Sequence, residues 1–209
     1  RVFTSSSVSK LEKLPETVTI SGGGVIAIEF AKIFSLFGCQ VTMLLRGSDP
    51  RLGLVKRAGM DMDVANELVK DLTNNNVQIR TNTTVSSIRV PDNDIDPLEI
   101  TLSGGSTDVI IRSDIFISAA GQLPNTKDLG LEDVNVTVDP GRGNIRVNEN
   151  LQTSVPTIFA AGDVIGSAAL ASTADIQGYA AVGFAFNLTN YYYNPDDDDD
   201  ADDDDDDDD

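Results

Sequence analysis

The chain has 209 residues, 40% of them hydrophobic and 23% charged, which is enough apolar matter for one large or two small packed domains. Its formal charge of -19 is concentrated at one end: thirteen aspartates fall between Asp196 and Asp209, and without them 34 acidic residues become 21 against 15 basic ones, a net of -6. No apolar run reaches the roughly 18 residues of a membrane span, no basic stripe suits a nucleic acid, and a single cysteine, Cys39, excludes an internal disulfide.

The first ten residues lack the basic-then-apolar order of a secretory signal, so the expected location is the cytoplasm or an organelle matrix. The first residue is not Met, and further residues are expected upstream. Val18 to Ile20 forms a short β-rich run that ends in Ser21-Gly22-Gly23-Gly24. Val25 to Phe37 follows as a helix apolar nearly all round, suited to packing on a sheet and closed by Gly38. Val41 to Leu45 is continuously apolar, as a parallel strand covered on both faces should be. Cys39, at the helix-to-strand corner, reads as a small buried apolar residue.

A second helix is predicted over Asp63 to Leu72, with Val64, Leu68 and Leu72 at i, i+4, i+8 and Ala65 and Val69 widening the stripe. Asn74 to Asn76 is a turn and Val77 to Ile79 a third strand. Val85 to Val90, Leu98 to Leu102 and Val109 to Ile111 are β runs separated by turns at Pro91 to Pro97 and Gly104-Gly105. They predict an antiparallel meander inserted into the fold, and Ile115 to Ala119 returns to the parallel sheet. Beyond a boundary near Gly121 to Asn125, Ile145 to Val147 and Thr157 to Ala161 are predicted strands and Ala168 to Phe186 a helix with an irregular start. The aspartate run repels itself and buries nothing, so disorder is expected there. It reads either as an inert solvated tail or as a weak divalent-cation binder.

The chemistry is carried by two segments. Gly22-Gly23-Gly24-Val25-Ile26-Ala27 fits G-x-G-x-x-G/A between a strand and a helix, with a second strand about 20 residues on. Gly22 suits the tight turn, Gly24 lets backbone approach a pyrophosphate, and Ala27 keeps the helix close to the sheet. The helix N-terminus would meet phosphates with free N–H groups and a positive dipole. A plain strand–helix turn is the other reading. At the end of the second strand, Arg46, followed by Arg51, stands where an acid would favour NAD, so NADP is expected and NAD is the alternative; Arg46 as a mere surface residue also remains. Glu29 reads either as a structural acid paired with Lys32 at i+3 or as part of a nicotinamide pocket. The second segment, Thr153 to Asp163, ends an apolar run in Gly162-Asp163. That Asp reads either as a cofactor-hydroxyl acceptor at a sheet edge or as a turn aspartate.

Together these segments resemble the pyridine nucleotide–disulfide oxidoreductase family, from about Leu14 to Ala185. Leu14-Pro15, the glycine turn and Glu29 are similar to the family's nucleotide motif, and Ala27 with Arg46 to its NADP-using members. Ala120-Gly121-Gln122-Leu123-Pro124-Asn125 is similar to the family's domain-crossover segment, with Gln122 where an Arg is usual. Ile158 to Asp163 is similar to its second FAD motif. The resemblance implies that Gly162 and Asp163 serve the ribityl chain of FAD, and that backbone at Leu170 and Ala171 touches the isoalloxazine ring. It implies an α/β chain with a Rossmann-like NAD(P)-binding domain at 1–122 carrying the meander insertion. Part of an FAD-binding α/β domain would follow at 123–190, with an acidic tail at 191–209.

Gly162-Asp163-Val164-Ile165-Gly166 and Leu170-Ala171-Ser172 are most similar to the soluble Si-specific pyridine nucleotide transhydrogenases of that family. The function implied is hydride transfer between NAD(P)H and FAD, with nicotinamide nucleotides as partners and a homodimer for the full-length protein. The alternatives are a disulfide reductase like dihydrolipoamide dehydrogenase or glutathione reductase, and a catalytically silent nucleotide-binding fragment. The chain resembles the middle of a longer enzyme and by itself is expected to be inactive.

Overall fold

The computed structural model describes residues 1–52, 59–93, 95–104, 108–167 and 169–188. Gly105, the segment Tyr191 to Pro195 and the aspartate run, for which sequence gave expectations, lie outside these residues. The chain divides into two units, Arg1–Gly121 and the residues from Gln122 onward.

Five parallel strands make the main sheet of the first unit: β1 (Val2–Thr4), β2 (Thr17–Ser21), β3 (Gln40–Leu44), β4 (Gln78–Arg80) and β8 (Ile115–Ser118), in the order β1-β8-β2-β3-β4. Helix α1 (Val25–Leu36) crosses from β2 to β3, and α2 (Met62–Asn74) precedes β4. Between β4 and β8 the chain makes an antiparallel meander, β5 (Thr84–Arg89), β6 (Leu98–Ser103) and β7 (Val109–Ser113), with a bulge between Val85 and Ser87.

Alternation explains the layering. Val18, Ile20, Val41, Met43, Ile115 and Ile117 project to one face and form a core with Ala27, Ala31 and Phe34 of α1 and Leu72 of α2. Leu44 and Phe116 project to the other, where Leu98, Ile100 and Leu102 of the meander cover them. Both faces are therefore shielded, which is why β2, β3 and β8 tolerate apolar residues at nearly every position. Each such buried side chain contributes roughly 1.5–3 kcal/mol. Asp114 latches the sheet's far end: its carboxylate accepts the backbone N–H groups of Glu16 and Thr17, both at 2.9 Å, while its own N–H donates to Thr17 Oγ1 at 2.8 Å.

The structure departs from the sequence-based expectations in four places. Strand β1 was not anticipated; three residues carry no periodicity, and its partner β8 lies at the other end of the unit. The buried stripe of α2 is Ala65 and Leu72, flanked by half-buried Leu68 and Val69, while Val64 is 51% exposed. The 64/68/72 and 65/68/72 series both fit a helix; Asp61, whose side chain accepts the Asp63 N–H, caps the start. Helix α1 leaves Val25, Ile33, Leu36 and neighbouring Phe37 exposed, so its apolar surface is only partly used. In the second unit, Ile145 to Val147 and Thr157 to Ala161 are not strands. They make isolated antiparallel bridges, Val138 with Ile145 and Gln152 with Phe159, because the turns at Asp139-Pro140-Gly141 and Ser154 to Pro156 interrupt any ladder.

The second unit is built around Val136, Ile145 and Ala160, with Ile158, Val164 and Ile165 packed on them. A short 3-10 turn, Gly162–Ile165, precedes helix α3 (Ala171–Phe186), which buries none of its residues; Ala168, the expected start, lies outside the described residues.

Candidate functional site

Strands β2 and β3 both end at a cleft of about 330 Å³, walled by Gly22, Gly23, Leu45, Arg46, Asp49 and Ala120 among others. A larger concavity of about 470 Å³ opens at the opposite edge of the same sheet, near Thr17 and Gln40. Parallel α/β sheets bind ligands at the carboxyl ends of their strands, beside helix N-termini, so the smaller cleft is the candidate site.

The glycine turn is shaped by its neighbours. Gly22 adopts φ +141°, and a β-carbon there would collide with the Ala119 carbonyl oxygen. Its N–H donates to the Leu44 carbonyl at 3.1 Å, tying the turn to β3. A β-carbon on Gly23 would lie 2.6 Å from Leu45 Cδ2, a constraint that spacing did not disclose. A β-carbon on Gly24 would meet nothing within 4 Å. Gly24 is the N-cap of α1, and no side chain caps it. The first N–H groups of the helix therefore lack intrahelical partners and open towards space a ligand could occupy. Ala27, fully buried, lets α1 lie close on the sheet.

The other nominated residues separate into distinct environments. Arg46 is exposed at the cleft rim and makes no hydrogen bond or ion pair among the described residues. Arg51 is engaged: its Nε and Nη2 donate to Asp49 at 2.8 and 2.6 Å, and Nη1 donates to Asn66 Oδ1 at 3.1 Å. Those bonds hold the Asp49 carboxyl down to about 2. Glu29 is exposed, and Lys32 pairs not with it but with Asp71 of α2 at 2.6 Å, so the i+3 pair, one of the two readings of Glu29, does not form among the described residues. Gly121, φ +122°, closes the first unit with open space where a β-carbon would be. Cys39 is buried, and burial pushes its thiol up.

In the second unit Gly162 has φ +78°, and its N–H donates to Gln177 Oε1 at 2.8 Å. Gln177 Nε2 donates onward to Ser167 Oγ at 2.9 Å, so one α3 side chain pins both ends of the Gly162–Ser167 turn. Gln177 was not nominated from sequence; a lone Gln in a helix carries no signal. The Asp163 carboxylate is exposed and has no hydrogen-bond partner among the described residues. Leu170 and Ala171, at the uncapped start of α3, are exposed as well. No group of three or more acidic, cysteine or histidine side chains suited to a metal occurs among the described residues. Nor is any helix there long and apolar enough to cross a membrane.

Residues 1–178 match the family model described as pyridine nucleotide-disulphide oxidoreductase. The chain belongs to that family. The family's members are FAD-dependent oxidoreductases that work with pyridine nucleotides. The chain is 38% identical over 181 residues to a soluble pyridine nucleotide transhydrogenase of Marinobacter nauticus, covering 87% of this chain and 36% of that protein. It is 33% identical over 182 residues to the human mitochondrial dihydrolipoyl dehydrogenase, covering 87% of this chain and 34% of the enzyme. Among solved structures, the Cu(II) complex of the HOCl-induced flavoprotein disulfide reductase RclA of Escherichia coli superposes with a TM-score of 0.75 at 27% identity. That match covers 87% of this chain and 39% of RclA. The chain thus spans about a third of the length of the curated relatives it matches. The α/β architecture, with its Rossmann-like parallel sheet and antiparallel meander, is that of this oxidoreductase family.

Proposed function

We propose that the first unit is the NAD(P)-binding domain, and the second a share of the FAD-binding domain, of an enzyme that moves hydride between NADP(H) and FAD. The observation that carries this reading is the glycine turn, Gly22 to Gly24, set at a cleft whose rim bears the exposed Arg46. In the favoured form the enzyme is a soluble transhydrogenase, in which bound FAD would supply the hydride chemistry between NADPH and NAD; the similarity to the Marinobacter transhydrogenase supports it. A disulfide reductase is the second reading, supported by the likeness to dihydrolipoyl dehydrogenase and RclA. The only thiol here, Cys39, is buried and belongs to no redox pair within these residues. A homodimer and the nicotinamide nucleotides as substrates complete the proposal.

The residues would work as follows. Gly24 and the free N–H groups of α1 bind a pyrophosphate, and the positive helix end stabilises its charge. Arg46 attracts an adenosine 2′-phosphate. Glu29, exposed on α1, shapes the nicotinamide end. In the second unit the unpartnered Asp163 carboxylate accepts a ribityl hydroxyl, and the backbone of Leu170 and Ala171 borders the flavin ring. FAD, when bound, supplies two-electron hydride chemistry.

Removing a charge-assisted phosphate contact costs on the order of 1.5–3 kcal/mol. Calorimetry with Arg46→Ala should therefore show NADPH bound roughly tenfold more weakly and NADH nearly unchanged. Equal losses for both nucleotides would remove the NADP assignment. Assay of the intact flavoprotein with NAD as acceptor, against lipoamide or glutathione disulfide, separates transhydrogenase from reductase.

A further inference from the structure

Of the two arginines at the end of β3, only Arg46 walls the 330 Å³ cleft; Arg51 instead lines a neighbouring concavity together with Asn66 and Lys70. Asp49 borders both. Its carboxylate accepts three bonds from Arg51: Nε at 2.8 Å, Nη2 at 2.6 Å and the backbone N–H at 2.9 Å. Arg51 Nη1 is taken by Asn66 Oδ1 at 3.1 Å. Every nitrogen of the Arg51 guanidinium is thus engaged, and its charge is neutralised by Asp49, which borders both concavities.

Resting on the reading of the cleft as a pyridine-nucleotide site, we propose that Asp49 is a specificity-determining residue: it withholds Arg51 from an adenosine 2′-phosphate. Among the described residues Arg46 then attracts that phosphate, and the carboxylate keeps lone-pair capacity for a ribose 2′-hydroxyl. An ionised carboxylate offers about four acceptor positions, and Arg51 occupies three of them. A fixed anion beside the phosphate position opposes the pull of Arg46. The cleft's preference for a phosphorylated nucleotide is therefore smaller than two free arginines would give.

The test uses 2′,5′-ADP and 5′-AMP, which differ only in the 2′-phosphate, bound to the whole 209-residue chain and followed by calorimetry. Asp49→Asn keeps an acceptor for the Arg51 backbone N–H and releases the guanidinium. The ratio of 2′,5′-ADP to 5′-AMP affinity should rise about tenfold, the size of one gained charge-assisted contact. In Asp49→Asn/Arg51→Ala the rise should vanish. Should Asp49→Asn fold poorly, Asp49→Ser, which also supports the turn, gives the same comparison. A ratio that stays constant or falls in the single variants overturns the proposal, as does a rise that persists without Arg51. Arg46→Ala distinguishes the underlying reading. If it leaves 2′,5′-ADP binding intact, the cleft assignment fails. If it weakens that binding while Asp49→Asn changes nothing, only the role of Asp49 fails.

Discussion

Gly22 passes so close beneath Ala119 that a β-carbon on residue 22 would overlap the Ala119 carbonyl oxygen, while two residues on, Gly24 faces open space. The two glycines of one motif thus answer to different demands, one to the protein's own backbone and the other, on the proposed reading, to a bound pyrophosphate. Gly22→Ala must move β8 or the turn and also adopt φ +141°. It should cost roughly 1–3 kcal/mol or more. Gly24→Ala should cost less than about 1 kcal/mol, because its φ of -92° suits any residue. It should nonetheless weaken NADPH binding, since a methyl group then stands where backbone meets pyrophosphate. Melting curves and nucleotide titrations on the two variants check this; a Gly22→Ala chain as stable as the parent would contradict it.

Glu29 and Lys32 should behave independently. Lys32 bridges α1 to Asp71 of α2, a partly exposed pair worth about 0.2–1 kcal/mol and weakened by salt. Among the described residues Glu29 has no such partner, so Glu29→Ala should leave stability within about 0.5 kcal/mol. Denaturation of both variants at low and high salt decides the matter. A loss on Glu29→Ala that matches the loss on Lys32→Ala would restore the i+3 pair.

Gln177 should matter more than its ordinary place in α3 suggests. Gln177→Ala strips a partner from the buried Gly162 N–H and frees Ser167. The cost should be about 1–3 kcal/mol. Amide hydrogen exchange at Gly162 should accelerate by one or two orders of magnitude. Unaltered exchange there would show that the turn holds without the helix.

Cys39 should alkylate slowly. Burial raises its thiol pKa, so the reactive thiolate is scarce at pH 8 and the sulfur is shielded. The sign for stability follows: the native state favours the protonated thiol, so this contribution is full below the unfolded value near 9 and is lost as pH rises through the higher folded value. Iodoacetamide labelling should run at least tenfold slower than for a free thiol and reach it only on unfolding. Labelling at the free-thiol rate in the native protein would be incompatible with this site.

Much of the first unit was legible because its signals are local and redundant. The strand, glycine turn and helix at Val18 to Phe37 each point to the same crossover, and Leu98, Ile100 and Leu102 alternate cleanly in β6. The signals failed where two solutions share a period, as with Val64 and Ala65 in α2. They failed again where an element has no pattern of its own, as with Val2–Thr4. Ile145 and Phe159 are β-prone residues without a ladder to join, and propensity cannot supply the partner strand. In the cleft, the glycines were readable from spacing. The engagement of Arg51 was not, since it depends on Asn66 from another element.

Strand β8 lies between β1 and β2 although it is the last of the five to be made. Asp114, just before it, grips the N–H of Thr17, 97 positions earlier in the chain. During synthesis the strands β2, β3 and β4 can pair as they emerge, but the edge of β2 stays open until Ile115–Ser118 arrives. Among the described residues Val2–Thr4 has no strand partner until then. The first unit therefore closes late, after a non-local contact of high entropic cost. For the whole of that interval an apolar strand edge is available to other chains, which makes the nascent protein a natural client for chaperones that bind extended segments.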